Sequence, residues 1–177
     1  MRNLITAGLV IAAISITCMA LAPSAAAWDH QRKGFILGGT LGAMGLWDPV
    51  DGEGIGWPVG AINIGYAPSD RLMIYYTTRN LITPSAMGSL TFAADYFMKP
   101  EAPALFFRGG GGVFGGILPW AFEYRGYSAY SGVGFEFARY WAVAFEAGYT
   151  WFAITGEEHT DDYDGLDVRL VVSLTGY

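Results

Sequence analysis

Six charged residues lie within otherwise apolar segments of this 177-residue chain, and all six belong to the same set of every-second positions in those segments. In chain order they are Arg79, Asp95, Arg108, Glu136, Glu146 and Arg169. Three arginines and three acids neutralise one another, and a charge in a water-poor interior is costly unless it is paired. We expect Glu146 to bridge Arg108 and Arg169. The set predicts a salt-bridge network that fills an interior; the alternative is a gate or a proton path.

A second group of possible ligands lies in the acidic segment 157–165, where carboxylates would attract hard divalent cations. Its acidic members are Glu157, Glu158, Asp161, Asp162 and Asp164. The spacing is not that of an EF-hand, because position 12 of the loop would be Val171 and not a bidentate glutamate. The segment predicts a solvated surface loop, with weak calcium or magnesium binding as the alternative. We expect no resident metal and no other cofactor.

Catalytic chemistry has little support in the residue types. The chain has 2 histidines, His30 and His159, and neither lies in a strand segment beside a serine that it could activate. Thr160 follows His159. The glycine tract 109–112 is not followed by the Gly-Lys-Ser/Thr of a phosphate-binding loop. We therefore expect no enzymatic activity, and no triad is assigned.

The six charges lie in segments that alternate residue by residue, which is the period of a β-strand. The predicted strands are 34–47, 59–66, 72–79, 89–98, 104–114, 127–137, 141–152 and 166–175. In these segments the six charges share one parity, and the other parity is apolar or aromatic. A soluble barrel has its charges outside, so here the apolar face is expected to be the exterior. This arrangement is typical of a transmembrane β-barrel.

The connections between the predicted strands alternate in length. Short ones occupy 67–71, 99–103 and 138–140, longer ones 48–58 and 153–165, and intermediate ones 80–88 and 115–126. Short turns are periplasmic in bacterial outer-membrane barrels, so both termini are expected there. Asp95 and Glu136 should then lie nearer the periplasmic end and Arg79 nearer the outer end.

Aromatic residues concentrate where strands meet connections, as in the belts at the two membrane interfaces. Those toward the longer connections are Trp47, Trp57, Trp120, Tyr127, Tyr149 and Trp151. Those toward the short turns are Tyr66, Tyr96, Phe137, Tyr140 and Trp141. Inward glycines are expected to make space for long side chains to cross the lumen: Gly38, Gly42, Gly110, Gly112, Gly132, Gly134 and Gly148.

Residues 1–27 have the pattern of a secretory signal peptide: a positive start, an apolar run over 4–21 and small residues before Trp28. A membrane-anchoring helix is the weaker alternative, because the run is short for a span. Residues 28–177 would then form one barrel domain without cysteine, since Cys18 is the only one. The formal net charge of −6 argues against nucleic acid as a partner.

These features together resemble the small eight-stranded outer-membrane barrels of Gram-negative bacteria, the OmpA/OmpX-type transmembrane domains. The strand–turn–strand phrase over 65–72 is also similar to one common in such barrels. The resemblance implies an all-β, eight-stranded antiparallel up-and-down barrel, monomeric and surrounded by outer-membrane lipid and lipopolysaccharide. It also implies barrel-assembly machinery that reads a terminal aromatic, here Tyr177. Tyr177 has the inward parity, and a bulge at Gly176 could restore an outward position.

The sequence thus predicts an exported outer-membrane barrel with a structural or surface-interacting role. Its lumen is expected to be plugged, because eight strands leave room only for side chains. Two alternatives stay open: a lipid A-modifying enzyme, and a narrow conduit for small hydrophobic molecules. An adhesive role is less favoured because the connections are short.

Overall fold

The computed structural model describes residues 32–47, 54–81, 87–116, 124–155 and 160–177. The predicted signal peptide, its cleavage site and both histidines lie outside these residues. Within them the chain forms strands β1 (Gly34–Trp47), β2 (Gly54–Ser69), β3 (Leu72–Leu81), β4 (Met87–Phe97), β5 (Ala104–Gly116), β6 (Tyr124–Ala138), β7 (Trp141–Thr155) and β8 (Thr160–Gly176). The described ranges contain no helix long and apolar enough to cross a membrane.

Each strand pairs antiparallel with the next, and β8 pairs with β1, so the sheet closes into a barrel. This confirms the predicted eight-stranded up-and-down topology. Closure removes every sheet edge, which leaves no exposed row of unpaired backbone groups along a strand. Three connections are short, at residues 70–71, 98–103 and 139–140. The barrel end that carries them and both ends of the described chain is called the turn end below, and the opposite end the loop end.

Several strands are longer than the alternation predicts. β2 begins at Gly54, β6 at Tyr124 and β8 at Thr160, so much of the predicted connections 48–58 and 153–165 is strand. Glycines and acidic residues weaken the sequence signal there, but cross-strand pairing with the preceding strand continues the ladder, as in Thr155 opposite Thr160. Strand preference depends on such context more than on the residue itself.

The outward face is apolar along the middle of the barrel. Phe145 is 53 % exposed and its cross-strand partner Leu170 is 58 % exposed, whereas the adjacent Glu146 is fully buried. Other exposed apolar residues include Phe35, Ile62, Tyr76, Leu105, Phe107 and Val113. The parity assignment of these residues is therefore confirmed.

Among the described residues, Arg125, Asp164 and Leu174 depart from the simple two-face pattern. Arg125 and Asp164 are exposed charges on the loop-end extensions of β6 and β8, beyond the predicted strand limits. The separation of charge from the apolar face therefore holds in the middle of the barrel and not at this end. Leu174 has outward parity but is 8 % exposed, and it pairs with Trp141.

The inside of the barrel is filled in layers. Near the turn end lie buried apolar residues, among them Ile36, Phe97 and Phe106, and the last two rings lie 5.0 Å apart between centroids. Toward the loop end the buried side chains become charged and then hydroxyl-bearing, as at Ser128 and Thr150. The charged layer between them is the candidate site.

Candidate functional site

A single row of cross-strand neighbours carries the centre of the charged layer. Asp95, Arg108, Gly132, Glu146 and Arg169 pair in succession across β4, β5, β6, β7 and β8. Because directly paired residues in a sheet share a face, all five positions point into the barrel. Four of them carry a charge, so the row gathers ions that are far apart in sequence.

Glu146 is the hub of this layer. It accepts hydrogen bonds from Arg79 at 2.6 and 3.2 Å and from Arg108 at 3.0 Å. Arg169 approaches the same carboxylate at 3.7 Å. The expected contacts with Arg108 and Arg169 are therefore present, and Arg79 joins them. Arg79 lies close to the loop end of β3, the side on which it was expected, and its long side chain brings the guanidinium group to this carboxylate.

Asp95 lies close to the turn end of β4, the side on which it was expected, and its carboxylate belongs to the same layer. Its two carboxylate oxygens accept from Arg108 at 2.8 and 2.7 Å, a bidentate arrangement that is among the stronger hydrogen-bonded ion pairs. The Tyr75 hydroxyl donates to the same group at 3.0 Å. Arg108 thereby links Asp95 to Glu146.

Sequence reasoning missed Asp167. It is fully buried, lies 2.7 Å from Nε of Arg169 and accepts from the Thr150 hydroxyl at 2.9 Å. Its signal was available, because it lies within the predicted eighth strand and has the same parity as Arg169. With it, the buried charges among the described residues are four arginines and four acids: Arg32, Arg79, Arg108, Arg169, Asp95, Glu136, Glu146 and Asp167. Their formal sum is zero.

Glycine makes the central contact possible. Gly132 stands between Arg108 and Glu146 in the paired row. A methyl group on Gly132 would lie 2.9 Å from Cα and 3.1 Å from Cγ of Glu146, and it would also meet the carbonyl of Phe145. Only a residue without a side chain leaves this path open.

Aromatic rings pack over the guanidinium groups. The ring of Tyr130 lies 3.9 Å from the central carbon of Arg79 and 5.1 Å from that of Arg169. Gly110, directly opposite Tyr130, provides the space for this ring, since a methyl group there would lie 2.7 Å from its hydroxyl. Such cation–π contacts add attraction where both groups are desolvated.

A cavity of about 20 Å³ lies on the loop-end side of the network. Arg79 and Arg169 line it together with Ser89, Ser128 and Thr150. That volume suits a single water molecule, whereas sites for small organic ligands occupy roughly 300–1,000 Å³. The arrangement around this cavity supports ion pairing.

A second ionic cluster closes the turn end. Arg32, two residues before β1, is 1 % exposed. It donates through Nε to Glu136 at 2.9 Å, and its Nη2 also contacts that carboxylate. Its Nη1 donates to the carbonyls of Asp70 at 3.0 Å and Lys99 at 2.8 Å, and its guanidinium lies 4.1 Å from the centre of the Phe97 ring. Arg32 was missed because it precedes the first strand, where no alternation marks it.

Tyr177 completes this cluster. It is 6 % exposed, its hydroxyl donates to Glu136 at 2.6 Å, and its ring lies 5.3 Å from that of Tyr140. Pairing of β8 with β1 runs to Gly176 without a register shift, so the suggested bulge at Gly176 is wrong and the inward parity holds. Burial, and then the charge of Glu136, raises the pKa of Tyr177 well above its ordinary value.

From Thr160 onward, the acidic segment is part of β8 and not of the predicted surface loop. Asp161, Asp162 and Asp164 lie within β8, paired with β7, because the ladder continues past the point where sequence alternation fades. Asp164 accepts from the Tyr149 hydroxyl at 2.7 Å. Glu157 and Glu158 lie outside the described residues. Within those residues, no group of three or more His, Cys, Asp or Glu is placed to hold a metal ion.

No family model matches the chain, and no curated protein matches it. Among solved structures, the N-terminal β-barrel domain of Pseudomonas aeruginosa OprF is similar, with TM-score 0.46 and 11 % identity over 81 % of this chain and 98 % of that one. Neisserial surface protein A gives 0.41 and 17 %, covering 80 % and 96 %. The outer membrane protein AlkL, solved in DMPC bilayers, gives 0.42 and 10 %, covering 84 % and 93 %. Similarity this low carries no function across.

Proposed function

We propose that this protein is an integral outer-membrane β-barrel, closed by its own side chains, with a structural or surface-interacting role and no catalysis. One observation carries the proposal: the charges are inside and neutralised, and the large apolar side chains are outside. In water this arrangement would expose residues such as Phe145 and Leu170, each more than half accessible. Apolar area in contact with water costs about 25 cal/mol per Å². Lipid removes that cost, and a closed barrel satisfies its own backbone hydrogen bonds there.

The levels of the aromatic rings support a bilayer position. Toward the turn end, Tyr66 is 58 % and Tyr96 48 % exposed, and toward the loop end Trp47 is 50 % and Tyr127 56 % exposed. Amphipathic rings favour the headgroup region. We therefore propose two interfacial girdles, with the turn end and both chain ends in the periplasm. The exposed charges Arg125 and Asp164 then lie at the outer surface.

The closed interior argues against a conduit. Along the described strands the charged layer and the turn-end cluster block the axis at two levels, and the adjacent cavity holds about 20 Å³. The enzyme alternative gains no support, since His30 and His159 both lie outside the described residues. We propose a monomer surrounded by lipid and lipopolysaccharide. We also propose that assembly machinery reads Tyr177 before it becomes buried.

Expression in a Gram-negative host tests the proposal. We expect an N-terminus at Trp28, recovery with the outer membrane, and faster migration of unheated than of heated protein on a denaturing gel. Recovery as a detergent-free soluble periplasmic protein would contradict it, as would an N-terminus that retains residues 4–21. A defined conductance in lipid bilayers would favour the conduit, and lipid A turnover that is lost on changing His159 would favour the enzyme.

A further inference from the structure

Both ends of the described chain converge on one buried carboxylate. Arg32 precedes β1 and Tyr177 follows β8, and both bond to Glu136 on β6. β6 neighbours neither β1 nor β8, since β7 lies between β6 and β8. The contact therefore reaches across the barrel and is not part of the sheet.

The strand pair that these residues flank is unlike the other seven. Consecutive strands are joined by one connection of the chain, whereas β1 and β8 pair although all the other strands lie between them in the sequence. In the seam formed by β1 and β8, the ladder runs from Leu37 opposite Gly176 to Trp47 opposite Leu166. No short loop holds this seam, so bringing its strands together carries the largest loop-closure entropy in the sheet.

Arg32 also connects the short turns at the turn end of the barrel. Its guanidinium bonds to the carbonyl of Asp70 in the β2–β3 turn and to that of Lys99 in the β4–β5 turn. With Glu136 near the end of β6, it touches each of the three short hairpins. The ring of Tyr177 packs against that of Tyr140 in the β6–β7 turn.

We propose that Arg32, Glu136 and Tyr177 form a latch that fastens the β1–β8 seam and seals the lumen at the turn end. Opening the latch loosens the seam first, and the hairpins stay paired. The proposal does not rest on the proposed function, because it concerns the barrel itself and holds in detergent or lipid alike. A protein that is not found in the membrane would not contradict the latch, and a result that contradicts the latch would not contradict the membrane localisation.

Hydrogen exchange measured by mass spectrometry tests the seam. In Arg32→Ala, peptides covering 37–47 and 166–176 should exchange about tenfold faster or more, because losing one partner leaves the Glu136 charge buried and unpaired. Peptides from β3 and β4 should keep their rates, since local opening need not unfold the whole barrel. Lys33→Ala, a change at the adjacent exposed residue, should behave as wild type. Equal acceleration in every strand, or none, would overturn the latch.

Thiol labelling tests the seal. Ala104 is 2 % exposed and pairs directly with Glu136, so a cysteine at Ala104→Cys should react slowly in the wild-type background and rapidly with Arg32→Ala. Ser128→Cys, beyond the charged layer, should keep its rate. Ethylguanidinium should restore protection in the double variant, because it supplies the missing planar donor, whereas ethylammonium should not. Rapid labelling of Ala104→Cys with Arg32 intact would overturn the seal.

Two milder variants keep the test decisive if Arg32→Ala does not assemble. Arg32→Lys keeps the charge but loses the fork of donors that reaches Glu136 and two carbonyls together. Tyr177→Phe keeps the ring and removes only the hydroxyl bond to Glu136. Both should accelerate exchange in the seam peptides alone, and wild-type exchange in both would overturn the proposal.

Discussion

Arg108 of β5 donates to Glu146 of β7 at 3.0 Å across the intervening strand, over a glycine. Gly132 occupies the position between them in the paired row. The bond makes the charged layer continuous, because Arg108 also holds Asp95 and Glu146 also holds Arg79. The continuity of the charged layer therefore depends on the lack of a side chain at Gly132 as well as on the charged residues.

Adding one methyl group at this glycine should destabilise the barrel. In Gly132→Ala the new carbon would meet Glu146 at 2.9 and 3.1 Å, and forcing atoms into a packed interior costs about 1–3 kcal/mol. Gly109→Ala is the matched control, because its new methyl group would have no neighbour nearer than 3.9 Å. Urea unfolding in lipid vesicles should show a loss for the first variant only. Equal midpoints would contradict the crossing geometry.

Removing the carboxylate of Glu146 should lower the free energy of unfolding by more than Gly132→Ala does. Glu146→Ala leaves Arg79 and Arg108 without their shared acceptor in a fully buried position, and breaking a buried ion pair costs about 3–5 kcal/mol. Glu101→Ala, at an exposed acid of the β4–β5 connection, should leave the free energy of unfolding unchanged. An unchanged unfolding midpoint for Glu146→Ala would mean that the arginines are hydrated in solution.

The assignment of faces predicts opposite tolerance at adjacent residues. Phe145→Arg places a charge on the proposed lipid face, which costs roughly 2–4 kcal/mol at the middle of a bilayer. Ala144→Ser adds a hydroxyl to the buried inward position beside it and should impair assembly far less. Heat-modifiability of membrane fractions measures both. Equal assembly, or the reverse order, would show that the exterior is not in lipid.

The raised pKa of Tyr177 predicts a pH dependence of stability. Burial and the charge of Glu136 favour the neutral phenol in the folded state. Its contribution is therefore complete below the ordinary tyrosine pKa of about 10 and is lost as the pH rises above it. The difference in free energy of unfolding between wild type and Tyr177→Phe should shrink through that alkaline range. Tyr66→Phe, on the exposed exterior, is the control, and a constant difference for Tyr177→Phe would contradict the burial.

The sequence determined which residues face outward and which face inward. Successive strand residues point to opposite sides, so Phe145 and Glu146 could be assigned from their neighbours alone, and the closed antiparallel barrel followed from eight such segments. The same local rule placed Tyr177 inward, and the structure keeps it there.

Only the tertiary structure decided which charges meet. Parity fixes the direction of a side chain, but an arginine spans the lumen, so its partner depends on strand stagger and on gaps such as Gly132. Arg79, close to the loop end of β3, therefore reaches Glu146, and Asp95, close to the turn end of β4, reaches Arg108. The alternation of strand residues gives no prediction for Arg32, because Arg32 precedes the first strand. Arg32 can bind at the turn end only after closure of the barrel has brought together Glu136 and the carbonyls of Asp70 and Lys99.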